Sequence, residues 1–296
     1  MTEQVSSARL VQFIGALSAL VASVLGVAWW VDTDPLVLGP AYMLTPLIAG
    51  AIVCLTHGIG WRAVGLRIGR PRWLLYSALI WFPIGLAILG VAVLFPGVSF
   101  DPTMIASELG VPNAPLWLGL GFVGLLVMMV IFGSTVNAVL GFGEEFGWRG
   151  YLLWELAPLG FWKASFAIGL LWGLWHAPLV YIGLNYPSYP LIGIIVFTVV
   201  CMAISPLFTF VVLKGRSVLP AALLHGVFNA GGFLGLVATD EAMFRELVAS
   251  EGGIAGLAVY LVVLGLLVRV GTPGISRQSF DETALGPGIG VPTASD

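Results

Sequence analysis

The sequence predicts an all-α fold: a polytopic transmembrane helical bundle of about eight membrane helices. Three observations predict it. Of the 296 residues, 59% are apolar and only 9% charged, with a mean hydropathy of +1.02; soluble domains carry about 25% charged residues. Apolar runs of the roughly 20 residues needed to cross a bilayer recur along the whole chain. The cations between those runs alternate in a way that only an even number of crossings explains.

In chain order, the runs lie near 10–31, 36–56, 73–95, 116–142, 163–183, 190–213, 217–238 and 253–270. The first follows Arg9 and outlasts the apolar region of a signal peptide, so it reads as a retained helix. With the N-terminus cytoplasmic, the inner segments hold Arg9, Arg62, Arg67, Arg70, Arg72, Arg149, Lys163, Lys214, Arg216, Arg269 and Arg277, and the outer ones only Arg245. That bias is the positive-inside pattern, and it places both termini in the cytoplasm. The 57–72 connection carries four arginines and no acid, which suits the anionic inner leaflet. The 96–115 segment, with Asp101 and Glu108, and the acidic 239–252 segment read as outer loops. From Gly271 the chain is rich in Gly, Pro, Ser and Thr, which predicts a disordered cytoplasmic tail over 271–296. Residues 1–270 read as one transmembrane domain.

Composition also excludes functions. A net charge of −3 with no basic patch of the kind such binding needs gives no footprint for nucleic acid. Cys54 and Cys201 both lie within apolar runs, and no CxxC occurs, so neither a disulfide nor a zinc finger is indicated. Ten arginines against two lysines point to a GC-rich bacterial genome, hence a bacterial cell membrane.

The polar stretch Gly143-Glu144-Glu145-Phe146-Gly147-Trp148-Arg149 closes the fourth run. Ionisable groups at such a place are expensive and mark a functional site by default. On a helix Glu145 and Arg149 share a face and can pair, while Glu144 points about 100° away and stays free for chemistry. Two more motifs follow. His176 stands in Trp172-Gly-Leu-Trp-His176, and His225 stands one turn before Asn229. Asn137 reads as a packing or supporting group. Glu144 would lie at the inner end of helix 4, so the shared cavity is expected to open towards the cytoplasmic leaflet, with Trp172 on its wall.

Two chemistries suit the set. In one, Glu144, aided by His176, deprotonates a water while His225 and Asn229 donate to a tetrahedral oxyanion. In the other, Glu144, His176 and His225 hold a divalent metal such as zinc with one open position; no HExxH is present to support a zincin-like site.

The EExxxR stretch (Glu144, Glu145, Arg149), the aromatic-xxx-His (Trp172, His176) and the HxxxN (His225, Asn229) together resemble the CPBP family of intramembrane proteases. This is the CAAX-protease and bacteriocin-processing, or Abi, family. The resemblance spans about 140–230 and implies a protease-like core at about 116–238, acting on membrane-associated or lipidated peptides. It implies Glu144 as the water-activating carboxylate with His176 as its partner, and His225 and Asn229 as oxyanion stabilisers or metal-site members. Glu145 and Arg149 become structural support. Where the family usually has Phe, this chain has Trp172, an exchange expected to leave the chemistry unchanged. The competing classes are a small-solute transporter, which predicts paired repeats that the sequence lacks, and a non-catalytic bacteriocin-immunity or scaffold protein.

Overall fold

The computed structural model describes residues 4–100, 127, 130–230, 237–239 and 241–280. Helix α1 (Ser7–Trp30) is capped by Ser6, whose hydroxyl accepts from the Arg9 N–H. Next come α2 (Gly39–Met43) and α3 (Thr45–Thr56). They form one apolar run, Leu36–Thr56, bent where Pro46 lacks the N–H that the Tyr42 carbonyl would take. Thr45 Oγ1 donates to that carbonyl instead, at 2.8 Å. A second bent run, Pro71–Ala92, divides into α4 (Pro71–Leu79) and α5 (Trp81–Ala92), and Pro83 accounts for its break.

The fourth run differs most from its sequence reading. Its predicted start falls outside the described residues. From residue 130 it continues well past Phe142: a π-helical turn (Gly133–Asn137), α6 (Ala138–Glu145), a second π turn (Phe146–Leu152) and α7 (Leu153–Leu156) follow without interruption. The glutamate pair therefore sits inside a helix, not at its end. Beyond it stand α8 (Phe161–Tyr181), α9 (Pro190–Gly215), α10 (Leu219–Ala230) and α11 (Ile254–Val270).

Among the described residues, five helices are long and apolar enough to cross a membrane, while α10 and α11 are shorter. The seventh run, read as 217–238, is helical only to Ala230 in the described residues, and Val237–Ala238 pairs antiparallel with Ser99–Phe100. The bundle is thus all-α apart from this two-residue pairing.

The segments grouped by their cations share one face. Glu155 at the end of α7 binds both Arg9 (2.5 Å) and Arg277 (2.9 Å). Arg70 N–H donates to the Gly215 carbonyl at 2.8 Å, and Val218 N–H to the Gly65 carbonyl at 3.0 Å. The tail, expected to be disordered from 271, is instead packed as far as Phe280, which is buried over Gly65. The other connections meet on the opposite face: Ser188 N–H donates to Glu246 (3.0 Å), Tyr186 Oη to the Gly252 carbonyl (2.6 Å) and Tyr260 Oη to the Glu251 carbonyl (3.1 Å).

Candidate active site

Three helices bring the polar groups together: α6 carries Glu144 and Glu145, α8 carries Trp172 and His176, and α10 carries His225 and Asn229. The crossing of the fourth run with α10 is close because glycines line it. A Cβ on Gly226 would stand 2.1 Å from the Gly133 carbonyl oxygen, and one on Gly141 would stand 3.0 Å from His225 Cβ. Small residues permit such backbone approach. Asn137 Nδ2 donates across the same crossing to the Gly226 carbonyl (3.4 Å), which makes it a packing group.

Glu145 and Arg149 form the expected i,i+4 pair. Arg149 Nη1 donates to Glu145 Oε1 at 2.9 Å, and both side chains are fully buried. Arg149 Nη2 donates to Ser205 Oγ (3.3 Å), and the guanidinium lies 4.4 Å from the Trp172 ring and 4.7 Å from the Phe208 ring. A desolvated cation gains most from such ring faces.

Glu145 does more than the sequence reading gave it. The same Oε1 accepts from His225 Nδ1 at 2.8 Å. A carboxylate can only accept there, so Nδ1 carries the hydrogen and Nε2 is left for the Glu144 side. His225 Nε2 stands 3.8 Å from Glu144 Oε1. The second Glu144 oxygen accepts from the Trp172 indole N–H at 2.7 Å. Trp172, read as a neutral replacement for Phe, thus adds a donor that Phe lacks. No sequence signal marks these two contacts, because each joins helices far apart in the chain.

His176 is oriented within its own helix: Nδ1 bonds the Trp172 carbonyl at 2.9 Å, and the ring packs 4.5 Å from Trp175 and 4.9 Å from Phe197. The described polar contacts of Glu144 come from Trp172 and His225, while His176 makes its hydrogen bond within α8 and lines the same cavity. All the sequence candidates for chemistry nevertheless face one cavity of about 370 Å³: Glu144, His176, His225 and Asn229 line it, with Trp172.

Its rim consists of Leu36, Gly39, Leu184, Asn185 and Ser250–Gly252. These belong to the face opposite Arg9, Glu155 and Arg277. The fourth helix, expected to end at Phe142, continues to Leu156, so Glu144 lies some helical turns in from Glu155.

A metal was one sequence option. Among the described residues no three His, Cys, Asp or Glu side chains stand together as ligands. The Nδ1 contacts of His176 and His225 and the Trp172 contact of Glu144 leave one donor atom free on each side chain, but the three are not grouped as ligands. As positioned, this donor set does not make the three-protein-ligand sphere of a catalytic zinc.

Residues 125–231 match the family model described as Type II CAAX prenyl endopeptidase Rce1-like. A curated relative, the CAAX prenyl protease 2 of Methanococcus maripaludis, is 27% identical over 128 residues, covering 41% of this chain and 45% of that protein. The alignment thus spans less than half of either chain.

Proposed function

We propose that the chain, whose residues 125–231 match the Rce1-like CAAX prenyl endopeptidase model, is an intramembrane endopeptidase that cleaves membrane-associated or lipidated peptides with a water activated by Glu144. One observation carries the reading. A fully buried carboxylate, held through one oxygen by Trp172, presents its other oxygen to a cavity shared with His176, His225 and Asn229.

In this mechanism Glu144 Oε1 takes a proton from a water, whose oxygen attacks the scissile carbonyl carbon. The oxyanion is held by the Asn229 amide and, when the imidazole is protonated, by His225 Nε2–H. Glu145 fixes the tautomer and Arg149 fixes Glu145. Collapse breaks the C–N bond, and the Glu144 proton passes to the departing amine. His176 lines the cavity as a second imidazole against the reacting water. Donors of this kind are worth most where water is excluded. No step is routed through a metal.

The cation bias assigns the arginine-bearing face to the cytoplasm, so this reading puts both termini inside a cell membrane and the cavity mouth outside. Purified protein incubated with a farnesylated CAAX peptide and its unlipidated counterpart tests the activity, with Glu144→Gln as the control. Cleavage by wild type and none by the variant supports the reading; equal cleavage by both removes Glu144 from the chemistry. For orientation, Ser250→Cys in intact cells should react with a membrane-impermeant maleimide, whereas labelling only after lysis would reverse the assignment.

A further inference from the structure

We propose that the arginine-bearing face holds a phosphate site that takes the headgroup of an anionic phospholipid from the adjoining leaflet. This inference does not depend on the protease reading. A second cavity, of about 330 Å³, lies on that face and shares no lining residue with the cavity of Glu144. Its walls carry Arg70, Lys214 and Arg216 on one side and Ser276, Gln278 and Ser279 on the other, with no acidic side chain among the lining residues. Lys214 and Arg216 make no ion pair with any described residue. Lys214 and Arg216, two neighbouring cations of this kind, repel one another, so an anion between them is favoured.

The cavity is a built feature of the fold. Arg70 is tied to the end of α9 twice: its N–H donates to the Gly215 carbonyl (2.8 Å) and its Nη1 to the Lys214 carbonyl (3.4 Å). A helix C-terminus would ordinarily repel an anion. Here the terminal carbonyls are already engaged: Leu213 accepts from Arg216 N–H (3.3 Å) and Val212 from Ser217 N–H (3.2 Å). What remains towards the cavity is cationic. The facing wall is a tight turn in the tail, closed by Ser279 N–H on the Ser276 carbonyl (3.0 Å) and Ser276 N–H on Ser279 Oγ (2.8 Å). The tail is held beside this turn by Arg277 on Glu155 and beyond it by buried Phe280.

A separate observation points to a lipid as the source of the phosphate. Aromatic rings pack beside the cavity: Trp73 against Tyr76 (5.4 Å) and Phe210 (5.8 Å), with Lys214 Nζ 5.4 Å from the Phe210 ring. Trp and Tyr gather at the headgroup level of a bilayer. Basic pockets between membrane helices at that level suit anionic headgroups, because guanidinium groups grip phosphate oxygens in pairs.

The test uses the full chain purified in neutral detergent, with native mass spectrometry and thermal unfolding as readouts. Phosphatidylglycerol, phosphatidylcholine and inorganic phosphate are added separately. Wild type should retain one phosphatidylglycerol and unfold at a higher temperature with it, but not with phosphatidylcholine. Lys214→Gln/Arg216→Gln leaves the Arg70 contacts in place and should bind phosphatidylglycerol roughly thirtyfold more weakly. Arg62→Gln/Arg72→Gln, which removes two exposed cations outside the cavity, should bind as wild type does. Equal retention of both lipids, or equal losses in the two double variants, would overturn the site. Stabilisation by inorganic phosphate with none by phosphatidylglycerol would overturn the lipid as its source.

Discussion

The segment 125–231 and the segments that flank it serve one cavity in opposite ways. The first supplies Glu144, Trp172, His176, His225 and Asn229, polar groups fixed to helices and cross-linked to one another. The flanks supply Leu36, Gly39 and Met43 from short helical turns on one side and Ser250, Glu251 and Gly252 from a turn on the other, with no described hydrogen bond to the glutamate pair. On the proposed reading, chemistry rests on side chains held by helices, Glu144 by Trp172 and His225 by Glu145, while the flanking residues can vary without disturbing them. Loops on a scaffold characteristically divide labour this way.

The sharpest way to break this contrast is to alter Glu144. Replacing it by Gln keeps the shape and an oxygen for the Trp172 N–H, but removes the proton acceptor. Cleavage should fall by roughly 10²–10⁴-fold, the usual contribution of a general base, with the unfolding temperature close to wild type. An active Glu144→Gln protein would move the chemistry elsewhere.

Arg149→Ala attacks the same segment through stability. It leaves Glu145 buried and facing His225 without its cation, and breaking a buried pair costs about 3–5 kcal/mol. Thermal unfolding in detergent should therefore shift down by several degrees. An unchanged midpoint would show that Arg149 is dispensable for the fold. Trp172→Phe is milder. It keeps a ring beside Arg149 and restores the residue usual in the family, but deletes the 2.7 Å donor to Glu144. A hydrogen bond to a charged group is worth roughly 1.5–3 kcal/mol, so kcat should fall about tenfold or more with KM nearly constant. A wild-type kcat would return Trp172 to the role of wall.

These residues also mark how far the sequence could be read. The Glu145–Arg149 pairing and the shared face of His225 and Asn229 follow from helical spacing alone; the second pair lines the cavity and the first braces it through His225. What spacing could not supply was the environment across helices. Glu144 and Glu145 looked like a helix end because burying two carboxylates is costly. In the fold that cost is offset by Arg149, His225 and Trp172, brought together from three helices, and Gly147 lies against the Pro46 carbonyl, where a Cβ would stand 2.4 Å from its oxygen. The tail went astray for a similar reason: its composition is that of a disordered segment, yet Arg277 and Phe280 each find a buried partner that no local pattern announces.

The smallest expected effect lies at the rim and tests the other half of the contrast. Glu251 lines the mouth, and its backbone is held independently of its side chain, because Tyr260 Oη donates to its own carbonyl and Tyr186 Oη to that of Gly252. Glu251→Gln therefore changes charge while keeping volume and loop position. A single charge in a partly solvated place is worth about 0–1 kcal/mol. For a peptide carrying a lysine beside the scissile bond, KM should rise up to about fivefold, and for a neutral peptide it should hardly change. With both peptides kcat should stay within about twofold, because no described contact links Glu251 to Glu144, His225 or Trp172. A loss of kcat on the scale of Glu144→Gln would place the rim inside the chemistry, and the division between a catalytic segment and a selective border would no longer hold.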